Sequence, residues 1–183
     1  MLPEERIIIS GGPGFGKTTL ILELEKAGFQ CVHESSREII HEQMQSGGNF
    51  LPWKDLVKFS EIVFERRLEQ FQTAPSLPCF FDRGIPDIAA YLDLAGFSVW
   101  PALADACKTQ RYYHTVFLTP PWPDIFRNDP ERKETFASAC EVHEAIKKQY
   151  HKLGYHCTEI PTGTAEERAA FVIRLIESKG KGL

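Results

Sequence analysis

The sequence predicts an α/β fold of three layers, α/β/α, with a five-stranded parallel sheet between helices, and three observations carry that prediction. Strand-like and helix-like segments alternate from one end of the chain to the other, the pattern of parallel strands joined by helical crossovers. The first strand-like run, Arg6 to Ser10 (RIIIS), is β-branched almost throughout, as in strands covered on both faces. A glycine-rich loop joins it directly to an amphipathic helix.

The elements follow in order. The first helix spans Lys17 to Ala27, apolar at Leu20, Ile21 and Leu24, and Gly28 stands where a helix-ending glycine belongs. Strand two is Phe29 to His33. Ser35 and Glu38 have the spacing of a reciprocal N-terminal cap, so the second helix runs from there to about Ser46 and stops at Gly47-Gly48. From Asp55 to Gln72 the residues Leu56, Phe59, Val63, Phe64, Leu68 and Phe71 recur at helical spacing and give one broad apolar face. Leu77 to Phe81 is strand three, ending at Asp82. Ile85 to Leu94 and Ala102 to Thr109 read as short helices, and Tyr113 to Leu118 as strand four. A polar stretch, Thr119 to Glu134, leads into a helix running to about Leu153. Strand five is Tyr155 to Ile160, and Thr164 with Glu167 caps a last helix whose face is Val172, Leu175 and Ile176.

Composition bounds what such a fold can do. The chain has 183 residues, 43% hydrophobic and 25% charged, ordinary values for one globular domain over 1–183. No stretch free of Asp, Glu, Lys and Arg exceeds 12 residues, so no helix spans a bilayer. The N-terminus, MLPEERIIIS, lacks the layout of a secretory signal, and the expected location is cytoplasmic. A net charge of -4 argues against a general nucleic-acid binder, while leaving room for a local basic patch. The five cysteines never form C-x-x-C, so reduced thiols are expected. Three His-Glu pairs occur, but the positions a zinc helix would need for a second His hold Arg37, Gln45 and Lys147.

Residues Gly11 to Thr18 read GGPGFGKT and match G-x-x-x-x-G-K-[ST] in full. The motif sits between a strand and a helix, as its mechanism demands. Glycines let backbone N–H groups face phosphate oxygens, and the helix N-terminus adds partial positive charge. The nucleotide-binding set is therefore Gly11, Gly12, Pro13, Gly14, Phe15, Gly16, Lys17, Thr18 and Thr19. In this reading Lys17 lies on the β- and γ-phosphates of ATP, the Thr18 hydroxyl on Mg²⁺, and Thr19 near the α-phosphate.

A second carboxylate for Mg²⁺ is expected at a neighbouring strand end, and PCFFDRG supplies Asp82. Arg83 follows it where a hydrolytic motor usually carries Glu, and no N-K-x-D run selects guanine. A kinase for small acceptors needs a base for the acceptor hydroxyl and arginines for the transferring phosphoryl group. Glu34, just past strand two, is either that base or a carboxylate complementing a helix dipole. Arg83 either faces the phosphates or forms a structural ion pair. The segment at about 120–134 carries Arg127 and Arg132 and reads either as a lid over the phosphate donor or as a solvated helix entrance. Arg37, Arg66 and Arg67 read as solvated helix charges more readily than as ligands.

The runs ISGGPGFGKTTL, HESSREIIHEQ, LPWKDLVKF, FFDRGIPDIAAYL and FLTPPWPDIFRNDPERKETF together resemble a family of small P-loop proteins described as AAA-type predicted ATPases. That family is similar to nicotinamide riboside kinase domains and, more distantly, to deoxynucleoside and thymidylate kinases. The resemblance runs from Arg6 to about Arg174 and implies a nucleoside-kinase-like P-loop NTPase fold. It further implies that Glu34 is the base, that Asp82-Arg83 is the acidic-Arg pair after strand three, and that Arg127 and Arg132 belong to a lid. Gly84 departs from the Ser or Tyr often found after that pair. The sensor arginine and hydrolytic Glu of ring-shaped AAA machines are not evident.

The leading expectation is a Mg²⁺-dependent kinase transferring the γ-phosphoryl of ATP to a small nucleoside- or nucleotide-like acceptor. An NTP-binding switch or slow ATPase working through a protein partner is the alternative. A nucleic-acid end kinase would need a basic channel that the composition does not advertise.

Overall fold

The computed structural model describes residues 5–74, 78–127 and 134–179. In chain order the elements are β1 (Arg6–Gly11), α1 (Lys17–Lys26), β2 (Gln30–Val32), α2 (Ser36–Gln45), α3 (Leu56–Gln72), β3 (Cys79–Asp82), α4 (Ile85–Leu94), α5 (Pro101–Thr109), β4 (Thr115–Thr119), α6 (Phe136–Lys152), β5 (His156–Glu159) and α7 (Ala165–Lys179). The strands form one parallel sheet in the order β2-β3-β1-β4-β5. This is the predicted α/β fold with its five strands.

The central position of β1 explains its composition. Side chains alternate across a strand, so Ile7 and Ile9 face one layer and Ile8 the other, and all three are fully buried. Ile7 and Ile9 pack with Leu20, Ile21 and Leu24 of α1 and Val172 and Ile176 of α7. Ile8 packs on the opposite face with Phe81, Val116, Ile146 and Tyr150. Each such side chain contributes roughly 1.5–3 kcal/mol by burial. A third cluster, around Ile39, Phe59, Val63, Ile88 and Leu103, joins α2, α3, α4 and α5 beside the sheet.

Three of the four predicted helix-end signals behave as read, among them the stop of the second helix ahead of Gly47, at φ 69°. Gly28, at φ 93°, ends α1, with Phe29 N donating to Leu24 O at 3.1 Å. Thr164 and Glu167 make their reciprocal cap: Thr164 N donates to Glu167 Oε2 at 2.9 Å and Glu167 N to Thr164 Oγ1 at 3.2 Å. The Ser35 and Glu38 pair does not. Ser35 has near-helical backbone angles (φ -97°, ψ -7°) that turn its hydroxyl away from the helix start, where it is buried without a hydrogen-bond partner among the described residues. Glu38 instead approaches Arg66, at 3.8 Å.

The long helix α3 corrects another expectation. Its buried residues include Phe59, Val63, Arg67 and Phe71, a stripe at spacings of four that runs through an arginine. Arg66 is the surface charge expected, paired with Glu38 and Glu42. Arg67 is not solvated: it is 6% exposed and donates to Gly84 O at 2.7 Å. Among the described residues no helix is long and apolar enough to cross a membrane.

Candidate active site

The phosphate-binding signature forms the turn from β1 into α1, at the carboxyl edge of the sheet where ligands of such folds gather. Gly16 precedes Lys17 with φ 77°, and a Cβ there would stand 2.7 Å from Arg168 Nη1. A Cβ on Gly12 would collide with the Ala139 carbonyl and the Phe15 ring. Gly12 therefore needs glycine for packing, and Gly16 for packing and conformation both. Lys17 is 6% exposed, and its Nζ donates to the carbonyls of Gly11 (3.1 Å) and Gly12 (2.6 Å).

Phe15 reaches this turn from beneath. Its side chain is fully buried, with ring centroids 6.3 Å from Phe126, 5.8 Å from Phe136 and 6.2 Å from His143. Only its backbone is placed to face a phosphate. Both His143 ring nitrogens lack hydrogen-bond partners among the described residues, Nε2 stands 3.9 Å from Glu159 Oε1, and burial lowers the ring's pKa against the pull of Glu144 and Glu159. Arg168 of α7 clasps the turn from the side, with Nη1 3.1 Å from Gly16 O and Nη2 3.3 Å from Phe15 O. Its guanidinium also lies 5.7 Å from the Trp122 ring centroid.

Beside the turn stands a buried charge cluster. Asp82 closes β3 opposite Ile9, is 5% exposed, and its Oδ1 makes no hydrogen bond among the described residues. Burial raises its pKa above the ordinary carboxylate range and the Glu34 charge raises it further, against the pull of Lys17, Arg83 and Arg67. For Glu34 the balance is reversed. Burial alone would raise its acid, but Arg83, Arg67 and Lys17, with a hydrogen bond from Ser36, hold it well below the usual range. The distances agree: Glu34 Oε1 is 3.4 Å from Arg83 Nε and 3.6 Å from Arg67 Nη2.

Arg83 is held on its far side by Asp87. Its Nη1 donates to Asp87 Oδ1 at 3.2 Å and to Gly11 O at 3.1 Å. Asp87, fully buried, also accepts from Ser10 Oγ, from Gly84 N at 3.0 Å and from Tyr150 OH at 2.5 Å. Four donors on one carboxylate satisfy it, as a buried charge requires. Arg83 has φ 73°, the one positive value at a non-glycine residue among those described. Such a conformation costs on the order of 1–2 kcal/mol and persists where the surroundings over-determine it. The departure at Gly84 has a packing reason: a Cβ there would collide with Ile8 and stand 2.8 Å from Tyr150 OH.

Two cavities open on this cluster. One, of about 540 Å³, is lined by Gly14, Lys17, Thr18, Thr19, Trp122 and Arg127, among others. The other, of about 640 Å³, lies between α2, α3 and α4 and includes Pro13, Arg67, Arg83 and Tyr91. Glu34 and Arg37 line both, so they stand at the junction. Thr18 and Thr19 are exposed at the start of α1. A hydroxyl and a carboxylate are hard oxygen donors suited to Mg²⁺, and the unpartnered Oδ1 of Asp82 is an acceptor to which a metal-bound water could donate, so these residues fit the ion.

The structure thus gathers Lys17, Glu34, Asp82 and Arg83 into one cluster. Arg127 lies apart from it: exposed on the smaller cavity, its Nη1 bonds the carbonyls of Asp124 (2.9 Å) and Phe126 (3.0 Å) in its own turn. Arg132 falls outside the described residues, as do its neighbours in the lid segment from 128 to 133. Sequence reasoning read Arg67 as a solvated helix charge and did not single out Arg168 at all. Each had a signal: Arg67 lies four residues from both Val63 and Phe71, and Arg168 four from Val172 and eight from Ile176, all of them buried.

The turn from β1 into α1, with the full G-x-x-x-x-G-K-[ST] run, marks a P-loop protein. The sequence model described as AAA domain matches residues 6–168, and the chain belongs to that family. No curated protein matches the chain. Solved structures with the same fold include shikimate kinase from Acinetobacter baumannii in complex with shikimate, 18% identical, covering 97% of this chain and 95% of that one, with a TM-score of 0.58. Deoxyadenosine kinase from M. mycoides, with products dCMP and a flexible dCDP bound, is 15% identical over 94% of this chain and 99% of that one, TM-score 0.65. NadR protein in complex with NR is 14% identical with a TM-score of 0.64; the match covers 98% of this chain and 53% of that longer one.

Proposed function

We propose that this chain is a Mg²⁺-dependent kinase that moves the γ-phosphoryl group of ATP to a hydroxyl of a small nucleoside- or nucleotide-like acceptor. In this reading residues 1–183 form one P-loop domain, and the segment at about 120–134 closes over the donor. The observation that carries it is the pair of cavities meeting at Glu34 and Arg37. A switch or simple ATPase needs room for a nucleotide and its water; a second cavity of about 640 Å³, opening on the same carboxylate, provides for another molecule. Similarity of fold to shikimate and deoxyadenosine kinases supports the same reading.

The residues divide the work as follows. Backbone N–H groups of Gly14 and Gly16 and the Lys17 ammonium hold the β- and γ-phosphates, displacing the contacts Lys17 makes to the loop carbonyls. Thr18 and Asp82 hold Mg²⁺, which when bound neutralises phosphate charge. Arg83, fixed by Asp87, presents positive charge to the transferring group. The acceptor oxygen forms its bond to γ-phosphorus as the bond from γ-phosphorus to the β-γ bridging oxygen breaks, and ADP leaves with that electron pair. Glu34, ionised and held by Arg83 and Arg67, orients the acceptor hydroxyl and takes its proton late, once the forming phosphoester has made that proton acidic. A carboxylate held so far below neutral pH is a weak base at the outset, so positioning is its larger contribution.

The test is purified protein with γ-labelled ATP, Mg²⁺ and a panel of nucleosides, nucleotides and cofactor precursors. A labelled acceptor with stoichiometric ADP is the expected outcome. Slow hydrolysis with no acceptor labelled across the panel would replace the kinase reading with the switch.

A further inference from the structure

Three acceptors aim the guanidinium of Arg83: Glu34, the Gly11 carbonyl and Asp87. They differ in what faces them. Glu34 lines both cavities, and Gly11 belongs to the turn that takes up the phosphates. Asp87 is fully buried and lines neither cavity, so its hold on Arg83 is the one that bound molecules leave alone. The backbone around Arg83 is secured separately. Arg83 N donates to Ile9 O at 3.0 Å, Gly84 O accepts from Arg67 at 2.7 Å, and Ile85 N donates to Tyr112 OH at 3.3 Å.

Asp87 is fixed in its turn. Ser10 Oγ of β1 donates to its Oδ1, and Gly84 N donates to its Oδ2 at 3.0 Å from the same helix start. A further bond comes from far along the chain: Tyr150, near the end of α6, donates its hydroxyl to Oδ2 at 2.5 Å, within the range of charge-assisted bonds. Burial and the Asp87 charge push the Tyr150 phenol well above its ordinary range, so it stays a donor. Its ring is fully buried beside Ile8, Phe81 and Ile146 and meets the Tyr155 ring edge-on at 5.5 Å. Packing holds the hydroxyl in place, and the hydroxyl holds the carboxylate.

Building on the kinase reading above, we propose that Tyr150 and Asp87 are positioning residues for Arg83: Tyr150 sets the direction of the Asp87 carboxylate, and Asp87 keeps the guanidinium in one orientation while the phosphoryl group crosses. Neither touches substrate. Donors that are already aimed stabilise a transition state without having to reorganise, and they stay aimed where the groups behind them are locked. Without the Tyr150 hydroxyl the Asp87 carboxylate can turn about its own axis, and Arg83 samples several orientations. The transfer step loses by this, whereas the phosphate turn, held by its own contacts, binds nucleotide as before. Through Tyr150 the helix α6, whose Ala139 carbonyl also abuts Gly12, sets the side chain beside the transferring group as well as the turn that cradles the donor.

The test reads Arg83 directly by NMR. Its Nε–H, beside Glu34, should give a resolved nitrogen-proton signal in the ADP- and Mg²⁺-loaded protein, identified by its loss in Arg83→Lys. Tyr150→Phe keeps the ring and its packing and should shift and broaden that signal, and Asp87→Asn should do so more strongly. Tyr155→Phe is the control: this buried hydroxyl accepts from Tyr112 N at 3.2 Å and does not bond Asp87, so its loss should leave the Arg83 signal in place. In the transfer assay Tyr150→Phe should lower kcat about tenfold or more, the loss expected for one hydrogen bond to a charged group, with ADP affinity within about twofold. No resolvable Arg83 signal in the wild type, an unmoved signal in Tyr150→Phe, an equal movement in Tyr155→Phe, or equal losses of turnover and ADP affinity would each overturn the proposal. An Arg83 signal displaced in Tyr150→Phe, with no acceptor labelled by the wild type, would end the kinase reading and leave the support of Arg83 standing. A labelled acceptor with Arg83 unmoved would do the reverse.

Discussion

Arg83 Nε stands 3.4 Å from Glu34 Oε1, and the residue that makes this contact is held in a left-handed backbone conformation at φ 73°. Asp87 and the Gly11 carbonyl hold the other end of the guanidinium, so Arg83 bridges the phosphate turn and the carboxylate at the cavity junction. Arg83→Lys keeps the charge but loses the fork that makes these contacts together. Transfer should fall about a hundredfold or more, the usual loss for one preorganised donor, with ADP affinity little changed. Steady-state rates beside ADP titrations check this; equal losses in both would assign Arg83 to nucleotide binding alone.

Lys17→Ala should abolish the rise in unfolding temperature that ATP and Mg²⁺ produce. The ammonium already sits among the loop carbonyls, so it is in place for the phosphates. A thermal shift that survives the substitution counts against the phosphate turn.

Asp82→Asn should make the protein more stable and less active. The native carboxylate is buried with an unpartnered oxygen and a raised pKa, so it contributes stability below its unfolded pKa of 3.8 and loses that contribution as pH rises through the higher folded value. At neutral pH the ionised form is therefore a cost, and the amide should recover about 1–3 kcal/mol. Urea midpoints at pH 5 and pH 7.5 measure it: wild type should lose stability between them relative to the variant. Turnover should drop far more than nucleotide affinity.

Glu34 has the opposite sign. Its folded pKa is depressed, so its contribution is present above the unfolded pKa of 4.5 and is lost as pH falls through the folded value. Glu34→Gln should be less stable than wild type at pH 7, and the difference should shrink in acid. A difference that stays constant from pH 7 to pH 3 would mean that the arginines do not hold the charge.

Phe15→Ala should destabilise the fold by about 3–5 kcal/mol, the cost of truncating a fully buried aromatic ring. Chemical denaturation gives the number. A loss under 1 kcal/mol would show that the ring belongs to the ligand and not to the core.

Much of this was legible beforehand, for reasons specific to each element. The RIIIS run announced a strand covered on both faces, and the glycines with Lys17 announced the turn, because their chemistry is local in sequence. Arg67 was read as solvated and Arg168 was passed over, since charge suggests solvent; yet each stands at multiples of four from apolar residues that are buried, and that spacing was visible. Ser35 and Glu38 have cap spacing and Ser35 does stand at the N-cap, but Glu34 and Ser36 form a hydrogen bond beside the arginines, and the near-helical backbone of Ser35 leaves its side chain making no cap bond. The cavity wall of α2, α3 and Glu134 could not be seen at all: it is assembled from segments some ninety residues apart.

The ring triangle under the phosphate turn has one more consequence. Phe126 and Phe136, whose centroids lie 5.4 Å apart, flank the span from Arg127 to Thr135, and both rest within 6.3 Å of Phe15. A span whose ends are already clasped together closes at an entropy that grows only with the logarithm of its length, about 0.6 kcal/mol for each doubling. Insertions and deletions there should leave the ring cluster of Phe15, Phe126 and Phe136 where it is. Changes of length between those two rings are therefore expected to leave the fold around Phe15 intact.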